Sequence, residues 1–509
     1  MRRIKPRKST RFHLMQFTHL PVLVTLAASL LTSSASARYT PDWSLLREHH
    51  TPVSIDGLKF GIYCHWGAQS VLAASDNPDM TYLEAIDAWK GEKFSAREWV
   101  DLFQAAGAQF AGPVAWHGSG FLHWDSALTD WNSVKRGPGI DVVGELTAEL
   151  RRRGMPVLMS FHNNRSIWGR ISWSDPTVLD PTGEADCPLY TANDGRPAET
   201  LLQGWFDRIT EAIDKYRPDI IWMDTSFGGT IVPELRGHAL QGRLLPDGDN
   251  TLERAIREDY QRKLIAHFFN QGILWGKDVE IVYKSFDIPP GIGMRDIENG
   301  SLKGLQYDPW MADIDMTHHY QWPHIWFLDD ANPMKDANTL VDMLVDITSK
   351  NGRMLLNVPP RPDGTFREDS VRELLAIGDW LRINGEAIYG TIPWVFFGEG
   401  PNEVILEGHH AQGKDRGAHI ARFDARDIRF TQKGNALYAI LLGWPGDGAT
   451  VAIRALGALG RLHPGDIESV SLLGSSDTLE WTHTADALEV RFPTTRPCDF
   501  AYALKIERR

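Results

Sequence analysis

Between residues 55 and 395 the apolar positions alternate between a helical period and short unbroken runs. Ser95-Ala96-Arg97-Glu98 has the pattern of a helix-opening capping box, Trp99, Leu102 and Phe103 form an apolar stripe, and Gly107 ends the helix. The run at residues 109–115 then reads as a strand. Asp141 caps a second helix whose stripe is Val142, Val143, Leu146 and Leu150; Gly154 stops it before the strand led by Pro156-Val157-Leu158-Met159. A third helix carries Leu202, Trp205, Ile209 and Ile213 and leads to the strand at residues 219–224. A fourth carries Leu340, Met343, Leu344 and Ile347, stops at Asn351-Gly352 and precedes a strand at residues 354–358. Helix and strand periods in alternation predict a parallel sheet covered by helices, and this many units favour a (β/α)8-like barrel over an open doubly wound sheet. No Gly-x-Gly-x-x-Gly follows an early strand, which argues against a dinucleotide-binding fold.

Beyond Trp394 the texture changes to short strands at residues 428–431, 436–442, 449–453, 469–473 and 488–492. Lys433-Gly434-Asn435, Pro445-Gly446-Asp447-Gly448 and Gly474-Ser475-Ser476-Asp477 supply the turns. The chain is therefore expected to hold a barrel over residues 38–395 and a C-terminal β-sandwich over residues 396–509.

Residues 1–37 read as an export signal: a stretch with six basic and no acidic groups, an apolar run over residues 20–31, and Ala35-Ser36-Ala37 as a small-x-small cleavage site. The apolar run is shorter than the roughly 20 residues a membrane span needs. Losing this leader takes the formal charge from −13 to −19, which argues against nucleic acid and anionic membranes as partners. The expected location is periplasmic or extracellular, and homo-oligomerisation is left open. Three cysteines, Cys64, Cys187 and Cys498, are too few for a disulfide framework, and their spacing does not say which would pair.

Chemistry collects where the expected strands end, the face on which barrel enzymes carry their reactive groups. The first run leads into His65-Trp66-Gly67, the second into Trp116-His117, the third into His162-Asn163-Asn164, and the fourth ends at Trp222-Met223-Asp224. An isolated Asp at such a point ordinarily caps a turn; in this company Asp224 reads as a nucleophile. Of nineteen tryptophans, seventeen precede residue 395. Trp99, Trp205 and Trp380 lie on helix stripes and read as packing, whereas Trp66, Trp116, Trp222 and Trp310 flank candidate site residues and read as faces for a sugar ring. Glycoside hydrolysis needs a second carboxyl, and Glu298 in the acidic stretch Asp296-Ile297-Glu298-Asn299-Gly300 has the reach for a leaving-group oxygen. His318, His319 and His324 near Asp313 and Asp315 are the rival metal reading; without a His-Glu-x-x-His pattern no metal is expected. No Gly-x-Ser-x-Gly elbow supports a serine triad.

These residues give the chain a resemblance to the α-L-fucosidases of glycoside hydrolase family 29. Phe60-Gly61-Ile62-Tyr63-Cys64-His65-Trp66-Gly67 is similar to the family's Phe-Gly-Ile-Phe-x-His-Trp-Gly, and Trp124-Asp125-Ser126, Gly137-Pro138 and Asp141 resemble its Trp-Asp-Ser…Gly-Pro-x-x-Asp. Asp296-x-Glu298-x-Gly300 resembles its Asp-x-Glu-Arg-Gly, and the stretch over residues 346–394, with Lys350-Asn351-Gly352 and Asn384-Gly385-Glu386-Ala387, is the strongest match. The resemblance implies a barrel with a β-sandwich, retention through a glycosyl–aspartate intermediate, Asp224 as nucleophile, Glu298 as acid/base, and no cofactor. His65, Trp66, His117, Trp222 and Trp310 are the expected contacts to an oligosaccharide or glycoconjugate substrate. The sugar pocket departs from the family: His117-Gly118-Ser119-Gly120-Phe121 stands for His-His-Asp-Gly-Phe, and Ser160-Phe161-His162 for a Tyr-Tyr-Ser strand end. Two alternatives follow, a related sugar or a catalytically inactive sugar binder.

Overall fold

The computed structural model describes residues 38–162, 198–224, 251–284, 288–317, 326–328, 330–402, 423–460, 462–463 and 465–509. The expected leader, Cys187, Asn163, Asn164, and His318, His319 and His324 lie outside those residues. Eight strands close into a barrel: β1 (Phe60–Cys64), β2 (Phe110–Trp116), β3 (Leu158–Phe161), β4 (Ile220–Met223), β5 (Glu280–Tyr283), β6 (Met294–Asp296), β7 (Trp310–Asp315) and β8 (Gly352–Asn357). Each runs parallel to the next, and β8 pairs back onto β1 through Phe60↔Met354 to Tyr63↔Asn357. Every strand residue except Arg295 is buried. That double-sided burial explains why the strands read as unbroken apolar runs and not as alternations. The inward side chains, among them Tyr63, Phe110, Val114, Leu158, Trp222, Val282, Met294, Met311 and Leu355, fill the lumen as one cluster.

The covering helices begin where the sequence signals them. Ser95 accepts from the Glu98 amide, Asp141 from Gly144 at 2.8 Å and Asp336 from Thr339 at 2.8 Å. Helices Ala96–Ala105, Val142–Arg152, Ala198–Tyr216 and Ala337–Ser349 lay the expected stripes on the barrel, with Leu102 and Met343 half-buried at its edge. Two further helices, Thr251–Trp275 and Glu368–Asn384, complete the cover. Residues 297–309, which join β6 to β7, form no helix, so these two strands present their acidic ends side by side. None of the helices over the described residues is long and apolar enough to cross a membrane.

The C-terminal region holds two antiparallel sheets. The five-stranded one is ordered β13-β16-β11-β10-β9 and the three-stranded one β12-β15-β14. Their ranges are β9 (Ile392–Glu399), β10 (Ile428–Lys433), β11 (Ala436–Leu441), β12 (Thr450–Ile453), β13 (Ile467–Leu472), β14 (Glu480–His483), β15 (Leu488–Arg491) and β16 (Tyr502–Arg508). β9 begins at Ile392, so the sandwich takes its first strand from across the boundary expected at 395. β11 shows how the sandwich is joined to the barrel. Leu437, Ala439 and Leu441 enter the core between the two sheets, while Ala436, Tyr438 and Ile440 pack into the core shared with the barrel helices. Residues 39–509 form one compact unit.

A buried ion cluster pins that junction. Asp346, on helix Ala337–Ser349, binds Lys350 Nζ at 2.7 Å through one oxygen and Arg429 Nε of β10 at 2.8 Å through the other, and Ser301 Oγ donates to it at 3.0 Å. Removing the anion strands two buried cations, an arrangement that costs about 3–5 kcal/mol. Asp346→Ala is therefore expected to lower the urea midpoint of the whole unit by an amount corresponding to that loss. An unchanged midpoint would show that the cluster carries no net stability.

Candidate active site

Strand register brings the polar groups together. Trp116↔Phe161, Phe161↔Met223 and Met223↔Tyr283 are partners across β2 to β5. The next residue in each strand, His117, His162, Asp224 and Lys284, therefore emerges at one level of the barrel rim. His65 follows β1, Asp313 and Asp315 lie on β7, and Asn357 ends β8. Glu298 follows β6 in a segment bonded to β7 on both sides, with Ile297 N donating to Met311 O and Asn299 N to Asp313 O, each at 2.8 Å.

Lys284 is the hub. Its buried ammonium lies 3.3 Å from Asp224 Oδ1, 3.1 Å from Glu298 Oε2 and 2.9 Å from Asp313 Oδ2. The two expected catalytic carboxyls thus meet at one nitrogen. Contacts of 3.3 and 3.1 Å to one nitrogen keep these two oxygens within the sum of those distances, whatever the angle between them. Burial disfavours an ammonium, yet the Asp313, Glu298, Asp224 and Asp296 charges outweigh it and hold the Lys284 pKa well above the usual 10.5. Burial, followed by the facing Asp313 charge, raises Asp296 well above 3.8. Asp313 is raised by its own burial while Lys284 pulls it back. Tyr63 donates its hydroxyl to Asp313 Oδ2 at 3.2 Å from the barrel lumen.

The histidine side of the pocket is equally fixed. His65 N and Nδ1 both meet Asn357 Oδ1, at 3.1 and 3.0 Å, and Asn357 Nδ2 donates to Asp315 Oδ1 at 3.0 Å. An acceptor oxygen at Nδ1 puts the ring proton there and leaves Nε2 as a lone pair. Burial, then the imidazoles of His162 and His117, hold the His65 pKa well below 6.5, so the ring is neutral. His162 lies with Nε2 3.2 Å from Ser160 Oγ and Nδ1 3.8 Å from Asp224 Oδ2. Ser119, which stands in the altered sugar-pocket motif, donates to Tyr82 at 2.7 Å.

The tryptophans need correction. Trp66 is buried against Trp89, Phe94 and Trp99, and its indole donates to Arg361 O at 2.9 Å, so it packs the barrel wall. Trp310 opens β7 and bonds to Lys350 O at 3.0 Å, which puts it at the opposite rim from Asp224. Trp116 lies buried against Trp124, in the core outside the barrel. Trp222 is wholly buried in the lumen, under His162 and with Lys284 Nζ 4.7 Å from its ring centre; it floors the site and has no free face for a sugar. The aromatic that does border the pocket is Trp326, half-buried, stacked on His65 at 5.5 Å and 5.3 Å from Lys284 Nζ. Its φ of +76° is costly for a bulky residue, a strain that clusters at functional sites. A separate cavity of about 740 Å³ is lined by residues such as Thr51, Arg295, Trp310 and Asn351, and has neither Asp224 nor the rim histidines in its walls.

Comparison with known proteins agrees with this geometry. Residues 26–386 match the family model described as "Alpha-L-fucosidase", and residues 423–507 match that of the "Alpha-L-fucosidase C-terminal domain". The rat tissue alpha-L-fucosidase is 25% identical over 523 residues, covering 96% of each chain. The human tissue alpha-L-fucosidase is 25% identical over 514 residues, covering 94% of each. Among solved structures, the Thermotoga maritima alpha-fucosidase in complex with fucose superposes with a TM-score of 0.66 at 24% identity, over 92% of this chain and 100% of that one.

The hub makes a testable demand. Lys284→Met leaves the carboxyls of Asp224, Glu298 and Asp313 without their shared cation, and the expected destabilisation at pH 7 is about 3–5 kcal/mol by urea unfolding. Because folding raises the lysine pKa, its contribution is complete at neutral pH and is lost only as the pH climbs past 10.5 toward the folded value. Burial raises Asp313 from its usual carboxyl range, so as the pH falls this carboxyl binds a proton and no longer needs the cation, and the deficit of the variant should shrink. A deficit independent of pH would mean that packing, not charge, is what Lys284 supplies.

Proposed function

This chain belongs to the α-L-fucosidase family and is a glycoside hydrolase, and from that premise we propose that it releases terminal α-L-fucosyl residues from glycans with retention of configuration. Asp224 attacks the anomeric carbon and forms a glycosyl–aspartate; Glu298 protonates the departing oxygen and then takes a proton from the incoming water. The observation that supports this reading is the meeting of both carboxyls at Lys284 Nζ. His65 Nε2, His117 and His162 line the same rim and are suited to sugar hydroxyls, and Trp326 takes the stacking role first assigned to Trp66, Trp222 and Trp310.

Export through the basic and apolar leader at residues 1–37 is part of the same proposal, since a surface of formal charge −19 and a glycan substrate both suit a protein outside the cytoplasm. Expression with the leader in a bacterial host is expected to release protein whose first residue is Arg38, read by N-terminal sequencing. An intact Met1 end on all of the protein would remove the leader from the proposal.

An aryl α-L-fucoside tests the chemistry. The wild-type chain is expected to release α-L-fucose as the first-formed anomer in a proton NMR time course. Asp224→Ala is expected to lose at least about 1,000-fold in kcat, while its unfolding transition stays cooperative. Release of the β-anomer first, or retained turnover in Asp224→Ala, defeats the assignment.

A further inference from the structure

We propose that His65, His117 and His162 form a binding site for one divalent transition-metal cation such as Zn²⁺. Each offers one ring nitrogen, and the three nitrogens lie within 4.8 Å of one another. Three imidazoles on a tetrahedral ion, with metal–nitrogen bonds of about 2.0–2.1 Å, hold their nitrogens roughly 3.3 Å apart and their ring centres roughly 5 Å apart. The observed ring centres are 5.4 Å apart for His65 and His117, 4.8 Å for His65 and His162, and 5.1 Å for His117 and His162. The rings therefore already have ligating separations, and side-chain rotation of an ångström or so at the nitrogens completes the cage.

The surroundings are those of a ligand set. His65 is wholly buried, its Nδ1 proton is engaged by Asn357, and its Nε2 makes no hydrogen bond. Asn357 is itself held by Asp315, a relay of the kind that orients metal-binding imidazoles. His162 Nε2 lies 3.2 Å from Ser160 Oγ, and its Nδ1 faces Asp224 Oδ2 at 3.8 Å. Charge favours a cation as well. Asp224, Glu298 and Asp313 all lie within 3.3 Å of the Lys284 ammonium, so among the described residues carboxyls outnumber the cation they share. Three protein ligands leave a fourth position open, and Asp224 is placed to fill it. An ion held there ties up that carboxylate, so metal and glycoside exclude one another; this consequence, unlike the binding itself, rests on Asp224 being the nucleophile.

The test uses the untagged chain, stripped with a chelator and titrated with Co²⁺ and Zn²⁺. Co²⁺ should give the intense visible absorption of a tetrahedral site at one equivalent, and calorimetry with Zn²⁺ should give one site. His117→Gln and His162→Gln, each checked for a cooperative unfolding transition, should weaken binding at least about 10-fold, while His50→Gln, at an exposed position, should leave it unchanged. Failure to bind either ion, or binding that persists in both rim variants, overturns the site. With an aryl fucoside as reporter, one equivalent of Zn²⁺ should suppress turnover and a chelator restore it; full turnover with the ion bound overturns the exclusion of glycoside. If the chain cleaves no fucoside at all, the hydrolytic reading falls and the cation titrations still decide the site.

Discussion

The site is organised around one buried ammonium. Lys284 leaves β5 between β4, which delivers Asp224, and the β6–β7 pair, which delivers Glu298 and Asp313. A buried anion without a partner is among the costliest groups a fold can hold. A barrel that sends carboxyls from three strands to one rim therefore needs a cation among them, and β5 is the strand whose neighbours on both sides carry the acids. The helix-free link at residues 297–309 follows the same logic. It lets the segment after β6 stay hydrogen-bonded to β7 and so holds Glu298 within reach of the lysine.

The barrel was legible because its strands are buried on both faces and read as apolar runs, with helix caps between them. The rule that chemistry sits at strand ends singled out Asp224, His65 and His117, which the barrel gathers at one rim together with Glu298 from the acidic stretch at residues 296–300. It erred with tryptophan for a geometric reason. Trp66 adjoins His65 in sequence, yet successive side chains in an extended segment point to opposite sides, and the indole goes into the wall. Trp310 sits close to Asp313 along the chain, but it starts the strand whose end bears the acids, and strand direction separates them by the height of the barrel. Lys284 obeys the rule as well as Asp224 does, following the run Glu280-Ile281-Val282-Tyr283; a search for carboxylates and rings alone passes over it. Nothing local marks Trp326, whose place at the pocket depends on tertiary contacts to His65 and Lys284.

The C-terminal sheets were visible as strands but not as a brace. Strand β11 is apolar on both faces, a pattern that in isolation suggests a central strand and in the structure means that one face of the sheet covers the barrel. Arg429 carries this contact into the helix that precedes β8, through Asp346, and β8 ends at Asn357, the residue that sets the tautomer of His65. A chain of packed elements therefore runs from the sandwich to the histidine side of the pocket. Its effect there is to hold still a ring whose orientation decides which nitrogen faces the pocket.

The different surroundings of the two carboxyls that share one lysine follow from counting charges. One ammonium neutralises one of the carboxylates around it, and in a buried site the remainder lower their energy by binding protons. Burial raises both Asp296 and Asp313 from the usual carboxyl range, so the excess of negative charge is relieved on the β6–β7 side of the pocket. Glu298 lies on that side and Asp224 on the other, beside His162. The two carboxyls at Lys284 are thus given different surroundings by the strands they follow, and the asymmetry arises from the two extra carboxyls and not from any difference in their contact with Lys284.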